Sequence, residues 1–157
     1  MHQISIVKDK IRIMNAILRQ SYLEKIERYL GKDTIIILTG QRRIGKSYIL
    51  RLFRDKVNKD ERANIIFIDK EKHEFDDIKT YQDLNAYIDA RRDKKKTNYI
   101  LVDEIQDIEE FEKSVRSYYE EPDIELVITG SNSKMLSCDL STLIGERYKE
   151  IYIQALS

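Results

Sequence analysis

Across 157 residues the chain has one cysteine, Cys138, and one proline, Pro122. A lone thiol closes no internal disulfide, which suits a reducing cytoplasm, and it reads as a small half-buried residue rather than a redox centre. Long hydrophobic runs are also missing: none approaches the roughly 20 residues that cross a bilayer. Met1-His2-Gln3-Ile4-Ser5 lacks a signal-peptide core. Neither charge sign dominates. With 28 Lys+Arg against 28 Asp+Glu, no global field draws the chain to nucleic acid or an acidic membrane. His2 and His73 stand apart from each other and from Cys138, which excludes transition-metal spacing. There are no repeats and no low-complexity linker. What remains is a cytoplasmic protein with no membrane partner. It forms one domain over 1–157, with 36% charged residues and enough length to bury a core.

What is present begins with five β-type apolar runs, at 34–39, 64–69, 99–102, 124–129 and 150–153. They are continuous rather than alternating, as in strands covered on both faces. Helical periodicity fills the intervals at 46–57, 80–91, 108–119 and 133–144. This alternation predicts an α/β fold with a parallel, doubly wound sheet and a ligand at the carboxyl ends of the strands. Ahead of the first strand, 10–30 carries Ile13, Ile17, Leu18, Leu23, Ile26 and Leu30 at helical spacing, with Gly31 as its stop. The expectation is an N-terminal extra helix packed on the sheet and able to approach the base of a nucleotide.

The densest chemical signal is Gly40-Gln41-Arg42-Arg43-Ile44-Gly45-Lys46-Ser47, a G-x-x-x-x-G-K-S directly after the first apolar run. Gly40 and Gly45 permit backbone angles and close approaches that side chains block. The intervening N–H groups then turn toward phosphate oxygens, and the next helix points its positive end at them. Lys46 is placed for the β and γ phosphates and Ser47 for Mg²⁺. Arg42 and Arg43 either meet phosphate or acidic groups or only tune the loop's charge.

Downstream, the run Tyr99–Val102 ends in Asp103-Glu104. After a phosphate loop, Asp103 at a strand tip suits Mg²⁺, and Glu104 suits polarising an attacking water. Gln106 and Asp107 follow in the same loop and are not ranked. The fourth run closes in Thr129-Gly130-Ser131-Asn132-Ser133, where Asn132 is assigned to the γ-phosphate side and Ser133 to a helix cap. Arg147, before the last run, reads either as a surface residue or as a group reaching a phosphate in its own or a neighbouring subunit. Lys94-Lys95-Lys96 reads as a solvated turn rather than a nucleic-acid patch.

Gly40–Ser47, Ile100–Glu104, Ile128–Asn132 and Gly145–Tyr148, in that order, resemble the core of an AAA+-superfamily ATPase. Gln41–Ser47, Thr129–Ser133 and the closing Leu156-Ser157 narrow the resemblance to the prokaryotic "archaeal ATPase" type. The resemblance implies a P-loop NTPase three-layer sandwich whose five strands lie in the order 5-1-4-3-2. It implies ATP and Mg²⁺ as cofactors, Asn132 as a sensor, and Arg147 as a finger acting in trans within a homo-oligomer. The helical lid and the winged-helix and nuclease-like segments of that type are expected beyond the fifth strand and are missing from this chain. Three functions follow. One is an ATPase driving change in a partner, with DNA a candidate. The second is a nucleotide-dependent binding module with negligible turnover, and the third a small-molecule kinase, which the Asp103-Glu104 pair disfavours.

Overall fold

The computed structural model describes residues 2–41, 45–131 and 133–154, without the side chains of 133–135 and 137–139. In chain order it runs α1 (His2–Tyr29), β1 (Ile35–Thr39), α2 (Lys46–Val57), β2 (Ala63–Asp69), α3 (Tyr81–Arg91), β3 (Thr97–Asp103), α4 (Phe111–Tyr118), β4 (Ile124–Gly130), α5 (Ser133–Ile144) and β5 (Tyr148–Tyr152). Single 3₁₀ turns occupy His73–Phe75 and Ile105–Asp107. The strands form one parallel sheet in the order β2-β3-β4-β1-β5, the implied order read from the opposite edge.

Continuous apolar strands put side chains on both faces, and each face is covered. Ile35, Ile37, Ile66, Ile68, Val102 and Ile128 join one core beneath α3, α4 and α5. Ile36, Leu38, Leu101 and Val127 join a second core with Ile49, Leu50 and Phe53 of α2 and Tyr22, Leu23 and Ile26 of α1. The result is a three-layer α/β/α sandwich, the P-loop NTPase architecture. The second and third helical intervals shift slightly: α3 begins at Tyr81, and α4 begins only at Phe111, after the 3₁₀ turn and a left-handed Glu110 (φ 56°).

α1 departs from expectation in how much of it packs. Only its C-terminal part is buried, at Tyr22, Leu23 and Ile26. Ile4, Ile6, Val7, Ile11, Ile13, Met14 and Ile17 stand exposed. Glu27 pairs with Lys56 at the end of α2, while Arg19 stacks 5.2 Å from the ring of Tyr48 near its start. The Tyr22 hydroxyl accepts from the Gln154 N–H at 3.0 Å, past the carboxyl end of β5. α1 therefore runs parallel to α2, and its first turns project beyond the carboxyl ends of the strands. Ile13 and Ile17 keep the helical period without meeting the sheet. Ile26→Ala (0% exposed) should cost about 2–5 kcal/mol. Ile13→Ala (60% exposed) should stay within about 0.5 kcal/mol, both read by urea unfolding. Among the described residues, no helix is long and apolar enough to cross a membrane.

The junction after β1 is tight. Ile153 N donates to Thr39 O at 2.8 Å, tying the chain beyond β5 to the end of β1. Gly40 has φ 145°, and a Cβ there would lie 2.7 Å from the Ile153 carbonyl oxygen. Backbone cannot yield as a flexible side chain does, so Gly40→Ala should destabilise by about 2–4 kcal/mol in the same unfolding assay.

Candidate functional site

Parallel pairing in register brings three strand ends to one place. Thr39 of β1 lies beside Gly130 of β4, and Ile128 of β4 beside Val102 of β3. The residues that follow, Gly40, Asp103-Glu104 and Ser131, therefore gather at one edge of the sheet, where α2 begins. Gly45 precedes α2 with φ 104° and ψ 9°, a left-handed turn that favours glycine.

Lys46, the first residue of α2, is 2% exposed. A buried ammonium is costly unless acceptors surround it, and here three do. Nζ donates to Gly40 O at 2.8 Å, Gly130 O at 3.1 Å and Ser131 Oγ at 3.2 Å, with Glu104 Oε1 at 3.7 Å. The cation thus bridges the ends of β1 and β4 beside the carboxylate that ends β3.

Glu104 is the strained element, at φ 56° and ψ 55°. A non-glycine residue in this region costs on the order of 1–3 kcal/mol and persists where surrounding contacts enforce it. Its N–H donates to Thr129 Oγ1 at 2.9 Å. Its carboxylate accepts from Ser131 Oγ at 2.9 and 3.1 Å and from Gln106 Nε2 in a short bond. A carboxylate only accepts, so the Gln106 amide must turn its nitrogen toward Glu104. That leaves Gln106 Oε1 buried without a hydrogen-bond partner among the described residues. Gly130 makes room for this packing, because a Cβ there would stand 3.0 Å from Gln106 Oε1 and 2.0 Å from Leu136 Cδ1.

Asp103 is 1% exposed. Its Oδ1 accepts from Thr129 Oγ1 at 2.5 Å, while Oδ2 is buried with no hydrogen-bond partner among the described residues. Burial pushes its pKa above the ordinary carboxylate range. The Ser47 and Thr129 hydroxyls pull it back, and the nearby charges of Asp69 and Glu104 add to the rise. An orphaned carboxylate oxygen near a hydroxyl is an incomplete set of hard oxygen donors, the set that Mg²⁺ prefers. Asp103 and Ser47 fit that ion.

Of the residues singled out in the sequence, Gly40, Gly45, Lys46, Ser47, Asp103 and Glu104 converge here. Gln41 is exposed at the start of the loop. Arg42, Arg43, Ile44 and Asn132 lie outside the described residues, as does the Ser133 side chain. Arg147 does not join its own chain's site. Its carbonyl accepts from Ile35 N at the amino end of β1, and its 60% exposed side chain reaches Glu120 Oε1 at 2.6 Å and Tyr119 Oη at 3.3 Å. Three participants were not assigned from the sequence: Thr129, Ser131 and Gln106. Gln106 now ranks above the exposed Asp107.

A family model described as an AAA domain matches residues 32–157. The chain belongs to this family. As an AAA domain it carries the AAA+ P-loop ATPase-type fold, a nucleotide-binding module. An uncharacterised protein of Haemophilus influenzae is 35% identical over 142 residues, covering 88% of this chain and 36% of that protein. The chain spans about a third of the length of the curated relatives it matches. Among solved structures, a chain of the Drosophila origin recognition complex bound to GC-rich DNA and Cdc6 aligns with a TM-score of 0.63 at 14% identity. The alignment covers 94% of this chain and 59% of that chain. Cdc6p from Pyrobaculum aerophilum aligns with a TM-score of 0.60 at 14% identity, covering 84% and 44%. These two likenesses are ones of fold.

Proposed function

We propose that this AAA domain binds Mg-ATP and hydrolyses it as the cytoplasmic motor of a larger protein. The observation that carries the reading is the convergence, at the ends of β1, β3 and β4, of a buried Lys46, a carboxylate at Glu104 and an Asp103 Oδ2 with no hydrogen-bond partner among the described residues. Lys46 exchanges its carbonyl partners for β and γ phosphate oxygens, and the loop Gly40–Ser47 surrounds the phosphates with N–H groups. Ser47 and Asp103 hold Mg²⁺, which, when bound, offsets the phosphate charge. Glu104 orients a water and takes its proton as it attacks the γ-phosphate. Asn132, from its place in the sequence after β4, is assigned to the γ-phosphate side. Arg147, far from its own site, serves the phosphate of a neighbouring copy in a homo-oligomer. DNA is the partner to test first, because a fold neighbour is a DNA-bound assembly. The test is phosphate release from Mg-ATP, with ADP as the remaining product. ATP bound without release would overturn the hydrolytic part.

A second reading, a nucleotide-dependent binding module with negligible turnover, is favoured by one observation. Glu104 is tied by Ser131 and Gln106 and lies next to Lys46, so a water must compete with all three for its carboxylate. In that case ATP changes the assembly state while no phosphate appears.

A further inference from the structure

We propose that Thr129 is the positioning residue that presents Asp103 to the metal: its hydroxyl occupies one carboxylate oxygen and so dedicates the other to Mg²⁺. This rests on the Mg-ATP reading above.

The polarity of the contact is determined by chemistry. Glu104 N–H can only donate, so Thr129 Oγ1 accepts from it at 2.9 Å. The single hydroxyl proton is then left for Asp103 Oδ1, 2.5 Å away. Thr129 is 0% exposed and β-branched, so its side chain has little freedom to turn elsewhere. Strand register supplies the neighbour: Val102 pairs with Ile128, so the next residues, Asp103 and Thr129, fall side by side. With Oδ1 engaged, Oδ2 is the oxygen left without a hydrogen-bond partner among the described residues. The same hydroxyl anchors the left-handed backbone of Glu104. One buried oxygen atom thereby sets both the metal-facing carboxylate and the turn that carries the general base. A hydroxyl serving only to pair two strands would predict no dependence of nucleotide affinity on metal through this residue.

The test compares ATP affinity in Mg²⁺ and in EDTA by calorimetric titration of the full chain. Wild type should bind ATP more tightly with Mg²⁺. Thr129→Val keeps the shape and removes the hydroxyl, and should lose about tenfold or more of that metal-dependent gain, with affinity in EDTA unchanged. Thr129→Ser should restore the gain. Circular dichroism checks the fold. If the valine variant does not fold, Thr129→Cys, similar in size and only weakly hydrogen-bonding, is read by the same criterion. A valine or cysteine variant that keeps the full Mg²⁺ gain, or a serine variant that fails to restore it, overturns the role of Thr129. Wild type that binds no ATP overturns the Mg-ATP reading itself, and this proposal with it.

Discussion

Lys46→Ala should weaken nucleotide binding by about two orders of magnitude or more. The ammonium sits at 2% exposure among Gly40 O, Gly130 O and Ser131 Oγ, all neutral acceptors that yield to phosphate oxygens. A hydrogen bond to a charged group contributes about 1.5–3 kcal/mol. Losing contacts to two phosphates should weaken binding by about a hundredfold or more. The fold should survive, because Glu104 keeps Ser131 and Gln106 as donors after the cation is gone. Two carbonyls lose a buried partner, so stability should fall by about 1–3 kcal/mol. Calorimetric titration beside an unfolding curve separates the two effects. A folded alanine variant that binds like wild type would remove Lys46 from the site.

Glu104→Gln should separate binding from turnover. The amide keeps the size of the side chain and its oxygen still accepts from Gln106 or Ser131, but it cannot take a proton from water. Turnover should fall by about 10²–10⁴-fold, while ATP affinity stays within about threefold, a difference under 1 kcal/mol. Phosphate release with the variant, set against binding, reads this directly. Equal loss of both would assign Glu104 to holding the nucleotide or the loop, not to the water.

The reach of the sequence follows the distance between interacting residues. The G-x-x-x-x-G-K-S motif is eight contiguous residues, and the run ending in Asp103-Glu104 is equally local, so the convergence of Lys46, Asp103 and Glu104 could be expected from the sequence. The bounds of α2 and α5 match the helical periodicity residue for residue, and each carries apolar residues that pack, Ile49, Leu50 and Phe53 in α2 and Leu136, Leu140 and Ile144 in α5. The cross-strand partners were not legible in the same way. Thr129 meets Asp103 only because β3 and β4 pair in one parallel register across 26 residues. Ser131 reaches Glu104 across 27. The left-handed Glu104 carries no local glycine to announce it. Periodicity also revealed α1 as a helix without revealing which turns pack, since Ile13 and Ile17 share its period yet stay in the open.

The measurement that tests the central claim most directly is an equilibrium titration of the wild-type chain with ATP in the presence of Mg²⁺. A convergence of Lys46, Asp103 and Glu104 built for a triphosphate predicts saturable binding of one nucleotide per chain, weakened by EDTA. Absence of saturable binding would contradict it, as would binding that is indifferent to Mg²⁺.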